Sequence, residues 1–178
     1  TFTPIVGYHV DSVVVDGANQ PLAGSYTFTS ITANHTIRVA FAINQFTLNA
    51  SSGVNGSISP SGSVSVNFGG SQTFTFTPSI GYHVDSVIVD GVNLPVTASY
   101  TFTNVTANHS IRVTFAITQF TITSSSGANG SIAPAGAVTV NALSSQTFTF
   151  TPATGYHIDS VIIDGVGQPL GASYTFTN

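Results

Sequence analysis

The stretch GYHVDSVIVDG, from Gly81 to Gly91, occurs three times, as GYHVDSVVVDG from Gly7 and as GYHIDSVIIDG from Gly155. The starts are evenly spaced, 81 − 7 = 155 − 81 = 74 residues. A fixed period means a tandem array, in which each copy is one supersecondary unit that shares surface with its neighbours. Within the stretch, Tyr82 and Val84 alternate with His83 and Asp85, after which Val87, Ile88 and Val89 run together. Alternation marks a half-buried strand. One extra residue at Asp85-Ser86, a bulge, lets Tyr82, Val84, Val87 and Val89 share a face. Asp90-Gly91 then supplies the positive φ angles of a tight hairpin turn. Each repeat thus carries this core strand and its turn.

Residues 1–44 match residues 75–118 at 31 of 44 positions, so the copies are expected to share one fold. The reading is the C-terminal part of a repeat at 1–44, one complete repeat at 45–118, and at 119–178 a repeat lacking its last strand. Since 178 = 2 × 74 + 30, the segment reads as a window on a longer chain. In the complete repeat, strands are expected at 45–49, 56–60, 63–67, 72–77, 82–89, 100–103 and 110–117. The clearest is Gln72 to Thr77, with Phe74 and Phe76 inward, threonines outward and Pro78 as the stop. Val92 to Ala98 reads as a loop containing Pro95, and Thr106 to His109 as a turn.

No apolar pattern keeps a 3.6-residue period over ten residues, so no substantial helix is expected. The fold class is all-β: tandem small β-sandwich domains, Ig-like or β-grasp-like, on a 74-residue repeat. The expected core is Phe46, Leu48, Ile58, Val64, Val66, Phe74, Phe76, Tyr82, Val84, Val87, Val89, Tyr100, Phe102, Ile111, Val113 and Phe115. Between repeats, Ala116-Ile117-Thr118-Gln119-Phe120 has no Gly, Pro or polar run. A junction so short and apolar is expected to hold a fixed angle.

Composition narrows the chemistry. There is no Cys, hence neither a disulfide framework nor a thiolate metal site, and no Lys, hence no Lys-Asn isopeptide crosslink. Only 4% of residues are charged, against 42% hydrophobic. A surface made of Ser, Thr, Asn and Gly offers little repulsion to lateral association. The only basic residues are Arg38 and Arg112, so nucleic acid is excluded as a partner class. No membrane span is visible in the segment.

The unit GSISPSGSVSVNFGGSQTFTFTPSIGYHVDSVIVDG, followed by YTFTNVTANHSIRVTF, resembles the divergent internalin-type (InlB) B-repeat found in tandem on bacterial surface and secreted proteins. The resemblance rests on the Gly-Ser-Ile-Ser-Pro-Ser-Gly opening, Thr-Pro before Gly-Tyr, the Val-Asp-Gly turn and the closing Asn-His-Ser-Ile strand. Where the family often has tryptophan before the Asp-Gly turn, this chain has Val87. The resemblance implies extracellular arrays with adhesive or stalk roles, and no catalytic residues.

Three residue groups invite a chemical reading. His83, Asp85 and Ser86 have the types of a hydrolase triad, but neighbours on one strand do not converge and bring no oxyanion hole, so no enzyme is expected. His83, Asp85 and His109 are the candidate metal ligands, should the signature strand pair with the strand after His109, against the plainer reading of two solvent-facing residues and a turn histidine. No cofactor is expected. Arg112 is expected to pair with Asp85 or to serve a subunit contact. Thr73, Thr75 and Thr77 would form an ice-binding ladder or carry O-linked sugar, although threonine on an open strand face is ordinary β chemistry.

The leading expectation is a structural, extracellular protein whose repeats form or decorate a surface fibre. Its candidate assembly residues are Val92, Asn93, Leu94 and Val96 in the most variable loop, Thr101 and Thr103 on a strand edge, and Arg112. Partners are then neighbouring repeats or other copies. The alternatives are a module array that contacts a glycan or protein by avidity, and a spacer attached to a secreted enzyme.

Overall fold

A computed structural model describes residues 1–177, which form eighteen strands and no helix. The chain divides into two compact units, one holding Thr1–Thr77 and Val84–Thr114, the other Pro78–His83 and Phe115–Asn178.

The chain begins with β1 (Tyr8–Val15), β2 (Ala18–Gln20) and β3 (Ile37–Ile43), an antiparallel sheet in the order β2-β1-β3. Asp16 and Gly17 between β1 and β2 have φ of 50° and 80°. Positive φ at both central positions is what a two-residue hairpin with the strands' right-handed twist requires. The bulge lies where alternation breaks: Val10 faces Phe41, Ser12 faces Ala40, and Asp11 is the extra residue.

The second copy is complete. It runs through β4 (Gln45–Ser52), β5 (Gly56–Ser59), β6 (Gly62–Asn67), β7 (Gln72–Pro78), β8 (Tyr82–Val89), β9 (Val92–Leu94), β10 (Ser99–Phe102) and β11 (His109–Ile117). These form a five-stranded sheet, β6-β4-β11-β8-β9, and a three-stranded one, β10-β7-β5. The last strand of the repeat lies in the middle of the larger sheet. It pairs in parallel with the first, from His109 opposite Leu48 to Val113 opposite Ser52.

Period-two patterning puts the apolar side chains between the sheets. Leu48, Phe74, Val87, Ile111 and Val113 are fully buried, and Ile58, Val66, Phe76, Val89 and Phe102 nearly so. Phe46, Val64, Tyr82, Val84, Tyr100 and Phe115 are half-buried. Two departures from the sequence reading have local causes. Val92–Leu94 is strand β9, since the turn at Asp90 and Gly91 (φ 50° and 80°) returns the chain antiparallel onto β8. Val105, outside the expected core, is 1% exposed. Its N–H donates to the Gly70 carbonyl at 2.9 Å and its carbonyl accepts from the Gly69 N–H at 2.8 Å, which fixes an otherwise irregular loop over the core.

The third copy has β12 (Gln119–Ser124), β13 (Gly130–Ala133), β14 (Gly136–Asn141), β15 (Gln146–Pro152), β16 (Val161–Ile163), β17 (Val166–Gln168) and β18 (Ser173–Phe176). Its sheets are β12-β14, β13-β15-β18 and β16-β17, and the described residues contain no counterpart of β11.

Candidate functional site

β8 and β11 are neighbours, as the metal reading of His83, Asp85 and His109 requires, but those residues do not gather. In the first copy the equivalent strands run antiparallel, with His9 opposite Ala42 near one end and Val15 opposite Ile37 at the other. That direction sends His83 and His109 to opposite ends of the strand pair. His83 Nδ1 lies 3.3 Å from Thr118 Oγ1, Asp85 accepts from Thr114 Oγ1 at 3.0 Å, and His109 Nδ1 lies 2.7 Å from Asp90 Oδ2. Among the described residues no three His, Asp or Glu side chains are placed to hold one metal ion.

The cluster that does form joins the turn to the closing strand. Asp90 Oδ1 accepts from the Ser110 N–H at 2.7 Å while Oδ2 meets His109, whose ring stacks on Phe102 with centroids 5.0 Å apart. Residues 74 positions earlier repeat it: Asp16 accepts from the Thr36 N–H at 2.8 Å and meets His35 Nδ1 at 2.7 Å, and His35 lies 5.0 Å from Phe28. At Asp90, partial burial pushes the carboxyl pKa up. The Ser110 N–H, then His109 and the Ser110 hydroxyl, overcome this and hold it below the ordinary value. At Asp16 the Thr36 N–H is the main cause of the same downward shift, followed by His35. The arrangement is a structural clasp. The sequence offered a signal for it, because Asp and His recur 19 residues apart in both copies.

A second recurring cluster lies where copies join. The Asn44 N–H donates to the Gly7 carbonyl at 2.7 Å, and the Asn44 carbonyl accepts from the Phe68 N–H at 2.8 Å. One linker residue is thereby tied to the signature turn behind it and to the β6–β7 turn ahead. Phe68 packs on Gly7, where a Cβ would lie 2.8 Å from the ring Cγ. At the next junction Thr118 takes the place of Asn44: its N–H donates to Gly81 at 2.8 Å and its carbonyl accepts from Ala142 at 2.7 Å. Leu143 packs on Gly81, where a Cβ would lie 3.0 Å from Cδ1. Both glycines have φ above 80°, a region costly for residues with a Cβ. The first junction lies wholly in the first compact unit and the second wholly in the second.

Residues 46–119 match the family model of the divergent InlB B-repeat domain. This B-repeat-like segment covers 74 of the 178 residues. Comparison with curated proteins and with solved structures gave no match. The Asp90 clasp lies inside the B-repeat, whereas each junction joins a B-repeat residue, Phe68 or Gly81, to residues outside it.

The assembly candidates occupy B-repeat edges. Val92, Asn93 and Leu94 form β9, at the edge of the larger sheet, with Val92 61% exposed. Val96 follows, 55% exposed. Thr101 is on β10, the edge of the smaller sheet, with its hydroxyl 2.9 Å from that of Thr73, and Thr103 is exposed just beyond. Arg112 is exposed but does not pair with Asp85: among the described residues the only ion pairs are His35–Asp16 and His109–Asp90. Register explains this, since the equivalent Arg38 faces Val14, three residues from Asp11 along β1.

Proposed function

We propose that this chain is a stiff structural segment of a bacterial surface protein, with B-repeats serving as load-bearing spacers of a stalk or fibre. The observation that carries this reading is the recurrence of one junction, a linker residue bonded on both sides and a bulky side chain seated on the signature glycine. A flexible tether needs none of these. The B-repeat match supports the surface location, and no helix among the described residues is long and apolar enough to cross a membrane. A stiff array extends a distal part of a protein away from a surface without catalysis of its own.

The test uses the lack of native cysteine. Spin labels on cysteines introduced at the exposed residues Asn19 and Ser65 flank the first junction within the first unit. A single narrow distance distribution by double electron–electron resonance, broadened by Phe68→Ala, is expected. A broad distribution in the unaltered chain would overturn the stiff-spacer reading.

A further inference from the structure

Tension along a tandem array enters a repeat at its first strand and leaves at its last. Here a single residue separates one repeat from the next, Asn44 between β3 and β4 and Thr118 between β11 and β12, so little slack absorbs a pull. What the pull does inside the complete repeat depends on how β4 and β11 are placed. They are neighbours and run parallel, with five residue pairs from His109 opposite Leu48 to Val113 opposite Ser52. A pull draws β4 towards Gln45 and β11 towards Ile117, which are opposite directions along one axis. Inter-strand hydrogen bonds lie across the strands, so this pull shears all of them together. Had first and last strands been antiparallel neighbours, the same pull would open them from one end, bond after bond.

The pair is extended at both ends. At its start the Asn108 side-chain oxygen accepts from the Thr47 N–H at 2.8 Å, and at its finish the Gly53 N–H donates to the Val113 carbonyl at 2.8 Å. Each strand also has a second neighbour: β4 pairs with β6 at six positions, and β11 lies beside β8. Neither is an edge strand. Their inward residues Leu48, Ala50, Ile111 and Val113 are buried, so sliding β4 past β11 disrupts close-packed core in the same step that breaks the bonds.

We infer that the pairing of β4 with β11 is a mechanical clamp, which keeps the repeat folded under tension applied along the array. The clamp is directional. A pull across the larger sheet, from Ser65 on β6 to Asn93 on β9, loads the sheet edges instead, where β9 is held to β8 at three positions and peels away first. Equilibrium stability has no direction, whereas resistance to forced unfolding follows the unfolding rate along the pulled path. The inference deepens the load-bearing reading and rests on it for the source of the tension.

The experiment pulls single molecules of the whole chain between pairs of introduced cysteines, there being no native ones. Cysteines at the exposed residues Gln45 and Gln119 load the clamp, and cysteines at the exposed residues Ser65 and Asn93 load the sheet edges. In the first arrangement, unfolding lengthens the 119 − 45 = 74 residues between the handles to at most about 270 Å, which identifies the event. At equal pulling speed the first arrangement is expected to need at least about twice the force of the second, because five residue pairs share the load. Asn108→Ala is expected to lower the first force and leave the second unchanged, whereas a residue that merely added stability would lower both. Equal forces in the two directions, or an equal loss in both on Asn108→Ala, would overturn the inference. The spin-label distances report on the junctions without load, so either reading can fail alone.

Discussion

Gly7→Ala and Gly17→Ala form a matched pair that isolates the packing at a junction. Both glycines flank β1 and both have left-handed backbone, φ +84° and +80°. Alanine therefore meets about the same backbone penalty at each, about 1–2 kcal/mol. Their surroundings differ. Nothing lies within 4 Å of a Cβ at Gly17, whereas at Gly7 the ring of Phe68 is 2.8 Å away at Cγ and 2.9 Å at Cε1. Carbon atoms in ordinary contact lie about 3.5–4.0 Å apart, so ring or backbone must move by about 1 Å. The backbone is held by the Asn44 N–H on the Gly7 carbonyl. Overpacking of this kind costs about 1–3 kcal/mol beyond the φ penalty. The assay is amide hydrogen exchange at Asn44 and Phe68, whose N–H groups make the junction bonds. Gly7→Ala is expected to speed their exchange roughly 5- to 150-fold more than Gly17→Ala does, since about 1.4 kcal/mol is tenfold. Equal effects of the two changes, or unchanged exchange in Gly7→Ala, would refute the idea that Phe68 on Gly7 holds the junction.

Three further outcomes are expected. Val105→Ala removes two buried methyl groups and should lower stability by about 2 kcal/mol in urea denaturation, while a loss under about 0.5 kcal/mol would mean the loop is not part of the core. The Asp90 carboxyl titrates below its ordinary value of 3.8 when folded, so its stabilisation is complete above that value and is lost as pH falls through the lower folded one. The Ser110 amide should report this by NMR between pH 5 and 2, and an identical acid transition in Asp90→Asn would exclude the clasp as its source. Arg112→Gln should change stability by less than about 0.5 kcal/mol, as expected of an exposed side chain without a partner among the described residues, and a loss above about 1 kcal/mol would show a contact that has been missed.

The strands were legible because their signal is local. Thr73-Phe74-Thr75-Phe76 states its own inner and outer faces, and Asp90-Gly91 states its own turn. The irregular core escaped because Val105 has no alternating neighbours, and its burial follows from two hydrogen bonds to a turn 35 residues earlier in the chain. Long-range pairing direction was the other hidden quantity. Adjacency of β8 and β11 was a sound premise for a His83–His109 site, but antiparallel direction turns it into a contact between His109 and Asp90. The parallel pairing of β4 with β11 had no sequence signal either, because edge preferences do not specify which distant strand will fill a sheet.

That parallel pair also governs the order of events in folding. Thr47 and Asn108, whose hydrogen bond accompanies the pairing of β4 with β11, are 61 residues apart, so the larger sheet closes one of the longest loops the repeat permits. Such nonlocal closure comes late and slowly. A repeat emerging N-terminus first from a ribosome holds the sheet β10-β7-β5 and the pairs β4-β6 and β8-β9 before its closing strand arrives. Completion waits on residues made last, so the larger sheet of a repeat sets only once its whole length has been made.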